Sequence, residues 1–427
     1  MKGLQGEDRV FNRRVWLQGA AGIAAGVWGG ARLMAGMADP DTGTGAKAAA
    51  GLLSPLTLEQ SLRLAGQNLL SILNPEANYL PYWMLTVEPD YRAELGIWWP
   101  AHNIGRWWDA MMRIEEAIGF EIPKPIEAAM VENVHRFFDN PDHISLSPDR
   151  VNEWDLHSLR EGLLALNAMA RWRKDEWAAG MGRQMIQSVG AKLRDDGTWD
   201  VEKFDACQKR GKQVIHNFDP CDTHGRMLEA IIWFHETTGD AEALRLADRI
   251  ARWHFANTTQ PDGAINPAAK ADHTHSYLGT LRGLLLWGRL TRQREYIDRV
   301  AGAYRVNVPR VVKESGYTSH NMVAESFGET TSPGDAAQLA LWLCQEGYSE
   351  FIDDAERLVR ARILPSQIRQ SPPLRPAAED GKDAHRDLDA CPSLESTLST
   401  QLTSPLASAS RLISRISLRD TCRTHPP

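Results

Sequence analysis

The sequence predicts an all-α fold, an (α/α)6 toroid of helical hairpins. Three observations carry this. Five polar turns bearing His or carboxylate open apolar helices, at His102-Asn103, Asp155 to His157, Asp222 to His224, His273 to His275 and Glu329 to Thr331. The helices end in short turns near Gly119, Arg173, Gly239, Arg292 and Gly347, spaced 53 to 66 residues apart. A repeat of that length is one hairpin, and a hairpin cannot bury its apolar face alone, so hairpins stack or close into rings. Third, the first helix of each pair is apolar all round, as in LREGLLALNAMARW and MLEAIIWF, while the second carries more charge, as in AEALRLADRIARW. An inner ring inside an outer ring satisfies both patterns.

At the N-terminus, Asn12-Arg13-Arg14-Val15-Trp16-Leu17-Gln18 reads as a twin-arginine motif. An Ala/Gly-rich stretch follows, and Gly36-Met37-Ala38 has the small residues a signal peptidase needs. Residues 1–38 are therefore expected to be an export signal, implying a periplasmic or extracellular protein. The apolar run is too short and glycine-rich for a membrane span. Residues 39–54 are expected to be a flexible lead, and 55–390 the toroid domain.

Within the third unit, Leu228, Ile231, Ile232 and His235 follow one helical stripe. Gly239 supplies a left-handed cap, and Asp240 caps the returning helix. The fifth unit repeats this with Pro333 and Asp335 in a first turn, which suits both residue types. After Cys391 the chain has neither glycine nor aromatic residues. Residues 391–427 are expected to form a disordered or aberrant tail, with the last hairpin missing or disrupted.

The formal net charge is −7, and residues 1–38 carry five basic and two acidic side chains. A chain cleaved near Ala38 is more acidic still, which disfavours nucleic acid as a partner. No later run is long enough to form a stable membrane span. The five cysteines form no CxxC motif, so no classical zinc cluster is expected. Cys207 and Cys221 either pair in an oxidising compartment or remain buried thiols.

With hairpin period, turns such as TGDAEALRLADRIA and polar inner starts in place, residues 57–388 resemble the six-hairpin glycosidases. The segment GYTSHNMVAESFGETTSPGDAAQLALWL is most similar to relatives of the glycoside hydrolase family 127 β-L-arabinofuranosidases. In that family a Glu-x-Cys opens the corresponding helix, and both residues bind zinc with two further cysteines. Here Glu329 matches the glutamate but Thr331 stands at the cysteine position. The resemblance therefore implies a sugar-facing site without that zinc.

A toroid of this kind would gather the inner-helix starts at one end, where helix N-termini bring free N–H groups and partial positive charge. Glycosidic cleavage needs two carboxyl groups, one protonated and one ionised. The candidate catalytic carboxylates are Glu329, Asp155, Asp222 and Glu325. The candidate substrate-binding residues are Asn103, His157, His224, His273, His275 and Arg226, with Trp98, Trp99 and Trp154 as ring-stacking platforms. Each acid also fits a simple helix cap, and each arginine fits a salt bridge. No His–carboxylate spacing is diagnostic, so neither metal nor cofactor is expected. The expected partner is a carbohydrate and the expected activity that of a glycoside hydrolase. A polysaccharide lyase using His224 or His275 with Tyr277, Arg226 and Asn103 is the alternative, as is a non-catalytic or truncated sugar binder.

Overall fold

The computed structural model describes residues 56–367, except 83, 87–91, 95–99, 151–152, 209–210, 212, 216–217, 325 and 330, together with 375–376. The expected signal, lead and aberrant tail, and the candidates Trp98, Trp99 and Glu325, lie outside the described residues. The chain divides into two units at Ser61/Leu62, and every hairpin lies in the second.

The second unit is an (α/α) toroid, as the sequence predicts. Helix α1 (Leu58–Ser71) crosses the unit boundary. Five hairpins follow: α2 (Pro100–Ile118) with α3 (Lys124–Phe138), and α4 (Leu159–Ala168) with α5 (Glu176–Gly190). A short α6 (Val201–Gln208) precedes α7 (Arg226–Thr238) with α8 (Ala241–Asn257). The last two are α9 (Thr274–Thr291) with α10 (Arg294–Val311), and α11 (Thr331–Gln345) with α12 (Ile352–Leu358). The expectation that the last hairpin is missing or disrupted falls outside the described residues.

The inner helices α2, α4, α7, α9 and α11 pack side by side in chain order. Their composition explains it. Every residue of α4 is buried, as is every residue of α9 from Thr274 to Gly288. By contrast α8 buries one stripe, Ala243, Leu246, Ala247, Ile250, Ala251 and His254. Each fully buried Leu or Ile contributes about 2 kcal/mol, which outweighs the modest helix propensity of the β-branched residues.

Two glycines set the inner spacing. A Cβ on Gly105 would sit 1.8 Å from the carbonyl oxygen of Glu161, and one on Gly283 would meet Leu228 at 2.8 Å. Only hydrogen fits there, so α2 meets α4 at backbone contact, and the α9 backbone sits directly on the Leu228 side chain of α7. The expected turns are also present. Gly239 (φ 69°) closes α7 and Asp240 accepts from the Ala243 amide at 2.7 Å.

The strands are short. β1 (Leu73–Asn74) pairs with β2 (Leu80–Pro81), and β3 (Met84–Thr86) with β4 (Arg92–Glu94). β5 (Glu153–Asp155) runs parallel to β6 (Gln213–Ile215), Trp154 opposite Val214. β7 (Arg375–Pro376) lies parallel to β4. The β5–β6 pair matters most, because it delivers Asp155 to the start of α4.

Candidate active site

The polar starts of the five inner helices touch one another in sequence around the ring. From α2, the His102 ring stacks on His157 at 5.2 Å with an 8° tilt. His157 Nδ1 lies 3.4 Å from Asp222 Oδ1, just before α7. Asp222 Oδ1 lies 3.4 Å from His273 Nδ1 at the start of α9. His273 Nε2 then meets Glu329 Oε2 at 2.9 Å, beside α11. Five separate hairpins thus contribute to one chain of contacts, the gathering that a shared register implies.

His273 is its centre. Burial alone would lower its pKa, but the Glu329 charge and hydrogen bonds to Asp222 and Glu329 push it up to about 9. The ring is therefore an imidazolium at neutral pH. Its Nδ1–H donates to Ser276 Oγ at 2.9 Å, and Ser276 in turn donates to Asp222 Oδ1 at 2.6 Å. Its Nε2–H donates to Glu329, whose other oxygen accepts from the Thr331 hydroxyl. Burial opposes ionisation of both acids. The His157 and His273 contacts hold Asp222 well below the usual carboxylate range, and His273 does the same for Glu329. The Asp222 and His273 side chains remain 25% and 23% exposed, so solvent-borne molecules reach them.

Beneath lies a buried ionic belt. Glu161 accepts from Arg160 Nη1 at 2.9 Å and from Arg226 Nη2 at 2.5 Å, with Arg106 Nε 3.6 Å away. Glu229 accepts from Arg282 at 3.0 Å, and Arg282 continues to Asp335. Arg226 therefore forms a salt bridge within this belt instead of the expected substrate contact. It is fully buried, and its Nη1 donates to His157 Nε2 at 2.5 Å. The same Nη1 lies 2.8 Å from His157 Nδ1.

Other expected residues take different roles. Asp155 accepts from the amides of His157 and Ser158 at 3.1 and 3.3 Å and from the Ser158 hydroxyl at 2.7 Å. It caps the turn into α4 and orients His157. Trp154 is not an open platform. Its neighbour Asp155 points to the helix start, so alternation along β5 turns the indole inward, edge-on to Phe204 at 5.6 Å. His224 is not a site residue either. It bonds His254 Nε2 at 2.9 Å between Trp199 and Trp253, and burial drops its pKa to about 3. Tyr277, named for the lyase set, is buried against Thr259 and Asn307.

Asn103 is buried, and among the described residues neither amide atom has a protein partner. His275 bonds Asp335 through Nδ1 while its buried Nε2 has none, and burial keeps it neutral. Both offer unused hydrogen-bonding capacity among the inner helices.

Two residues escaped sequence reasoning. His320 tilts over His273 at 4.5 Å, and Phe327 stacks on His320 at 4.6 Å. Phe327 is 47% exposed, one of the few exposed large apolar side chains among the described residues. Neither opens a helix. A bridge between His273 and Asn321 carries their loop to the site. Nitrogen and oxygen atoms of His273, His320 and Glu329 lie within 4.8 Å of one another, close enough to hold a metal ion.

No known family and no curated protein matches this chain in sequence. Solved structures do match in fold. An unsaturated glucuronyl hydrolase from Bacillus sp. GL1, which degrades glycosaminoglycan, superposes with a TM-score of 0.58 at 15% identity, over 82% of this chain and 94% of that one. An α-1,6-mannanase of Salegentibacter sp. HEL1_6, solved with α-1,6-mannotetrose, gives 0.56 at 14% identity, over 84% and 100%. A polysaccharide lyase gives 0.51 at 12% identity, over 77% and 93%. The shared feature is the (α/α) toroid fold. Among the described residues no helix is long and apolar enough to cross a membrane.

Proposed function

We propose that this chain is an exported glycoside hydrolase whose proton donor is His273. One observation carries the reading: the His273 imidazole lies between the carboxylates of Asp222 and Glu329, at the meeting point of the inner-helix starts. His273 gives its proton to the leaving glycosidic oxygen as the C–O bond breaks. Asp222, the more exposed acid, takes a proton from the water that attacks the anomeric carbon. That proton returns to His273 through Ser276. Glu329 keeps the imidazole charged until substrate arrives, and charge of this kind, fixed in advance, costs no reorganisation. The family 127 resemblance enters only through Glu329, steadied here by the Thr331 hydroxyl. The twin-arginine signal supports export.

The test is product analysis. The full chain, incubated with a panel of neutral and uronate oligosaccharides, should generate reducing ends without a near-ultraviolet-absorbing product. An unsaturated product would make it a lyase, and binding without turnover a sugar-binding protein. Glu329→Gln should lower kcat by about 10²-fold or more, since it removes the charge that keeps His273 protonated. Phe327→Ala should raise KM several-fold with a smaller change in kcat, because ring stacking on a sugar is worth about 1 kcal/mol. An unchanged KM would remove Phe327 from the substrate path.

A further inference from the structure

His320 has no task in the proposed acid–base chemistry, yet it sits in the middle of the site. It belongs to the loop closed by the Ser319–Gly328 bridge, and its ring lies over His273 at 4.5 Å. Among the described residues no hydrogen bond engages that ring. One atom each from His273, His320 and Glu329 fall within 4.8 Å of one another. His273 Nε2 and Glu329 Oε2 are already 2.9 Å apart. Ligands of a tetrahedral zinc ion, each about 2.0–2.1 Å from it, stand roughly 3.3 Å apart. The His273–Glu329 pair has to open only slightly, and His320 is on a loop, free of the helix packing that would hold it back.

The surroundings are those of a metal centre. On the far side of the His273 ring, Nδ1–H donates to Ser276 Oγ at 2.9 Å and lies 3.4 Å from Asp222 Oδ1. A carboxylate behind a ligating histidine fixes the tautomer that leaves Nε2 to the metal, and it raises the basicity of that nitrogen. The other oxygen of Glu329 accepts from the Thr331 hydroxyl, which orients the carboxylate in the same way. The His273 side chain is 23% exposed and His320 is half-buried, so a small ion has an entry. Imidazole nitrogen with carboxylate oxygen suits zinc, nickel or copper, whereas calcium and magnesium take oxygen ligands. Both nitrogen ligands lie outside the Glu-x-Cys pattern. Sulfur takes no part: Cys221 is a free thiol, so the pairing with Cys207 that the sequence allowed is not formed.

We propose that His273, His320 and Glu329 form a site for one divalent ion of the zinc class. The ligand atoms are His273 Nε2, one ring nitrogen of His320 and Glu329 Oε2, and a water completes the tetrahedron. Nε2 cannot carry a proton and a metal together, so on binding any proton there passes to solvent. The ion blocks the proton transfer assigned to His273 and inhibits the enzyme. That consequence rests on the hydrolase reading, but the site itself does not.

The test takes the full chain, freed of metal with a chelator. It is titrated with Zn2+ alone by calorimetry and with Co2+ alone by visible absorption. Saturation at one ion per chain is expected, with the bands of four-coordinate Co2+. His320→Ala removes a ligand and should weaken Zn2+ binding about 100-fold, while Thr331→Val removes only a partner behind one and should cost about 10-fold. Glu329→Gln keeps the side-chain shape and should lose the four-coordinate spectrum. His135→Ala, which removes an exposed histidine elsewhere, should leave the affinity unchanged. Circular dichroism on each variant separates a lost ligand from a lost fold. No saturable binding, or equal affinity in wild type and folded His320→Ala, would overturn the site. Activity tests the consequence separately. Zn2+ should inhibit sugar hydrolysis at the concentration that fills the site. Turnover that requires the ion would keep the site and remove His273 as proton donor.

Discussion

His273→Gln is expected to lower kcat about 10³-fold while the protein stays folded, the range a general acid contributes. The wild-type pH profile gives the sharper readout. The His273 proton is held up to about 9, so activity should persist through neutral pH and fall as pH rises through that value. On the acid side both carboxylates stay ionised well below the ordinary carboxylate range, so the rate should not fall in step with ordinary Asp or Glu titration. In His273→Gln the alkaline limb should vanish from the residual rate. A wild-type profile flat to pH 10, or an alkaline limb surviving in the variant, would remove His273 from the mechanism. The same group has a stability signature of known sign. Its pKa is raised on folding, so its contribution is complete below the unfolded value near 6.5 and is lost as pH rises through about 9.

The largest stability effect is expected at Glu161. This carboxylate is fully buried and ties Arg160, Arg226 and Arg106, and it lies 3.4 Å from His102. Burial pushes its pKa up, yet the three guanidinium groups bring it down to about 2. Glu161→Ala would leave buried guanidinium groups short of their main anion. Breaking such a pair from one side costs about 3–5 kcal/mol, which corresponds to a Tm drop of roughly 10 °C. Glu161→Gln keeps the shape and some hydrogen bonds and should cost less. Folding also depresses the Glu161 pKa, so its contribution is present above the unfolded value near 4.5 and is lost as pH falls through about 2. Thermal melts of both variants at neutral pH check this. A shift of no more than a degree or two in Glu161→Ala would mean that the other acids, chiefly Glu229, carry the belt.

Much of this site is legible along the chain, and the exceptions have identifiable causes. His157, Asp222, His273 and Glu329 were marked because each precedes an apolar helix at the same point of its hairpin. His224 shares that register yet faces outward. The backbone from Cys221 to Gly225 winds as a wider π-turn, which turns the residue two beyond Asp222 toward α8 and His254. Trp154 looked like a platform by proximity to Asp155, but in a strand adjacent side chains face opposite ways. His320 and Phe327 sit in a loop with no helix-start signal, and a backbone bridge to α9 decides their position.

By itself the sequence determined the hairpin period, the division into inner and outer helices, and the polar residues at the inner starts. Those follow from short-range physics: helical periodicity, capping and turn chemistry act over a few residues. Only the tertiary structure decided that His273 holds a proton between two acids while His275, two residues on, stays neutral. The partners of His273 lie 51 and 56 residues away. Coulombic and desolvation energies depend on distances and burial that exist once the hairpins have packed.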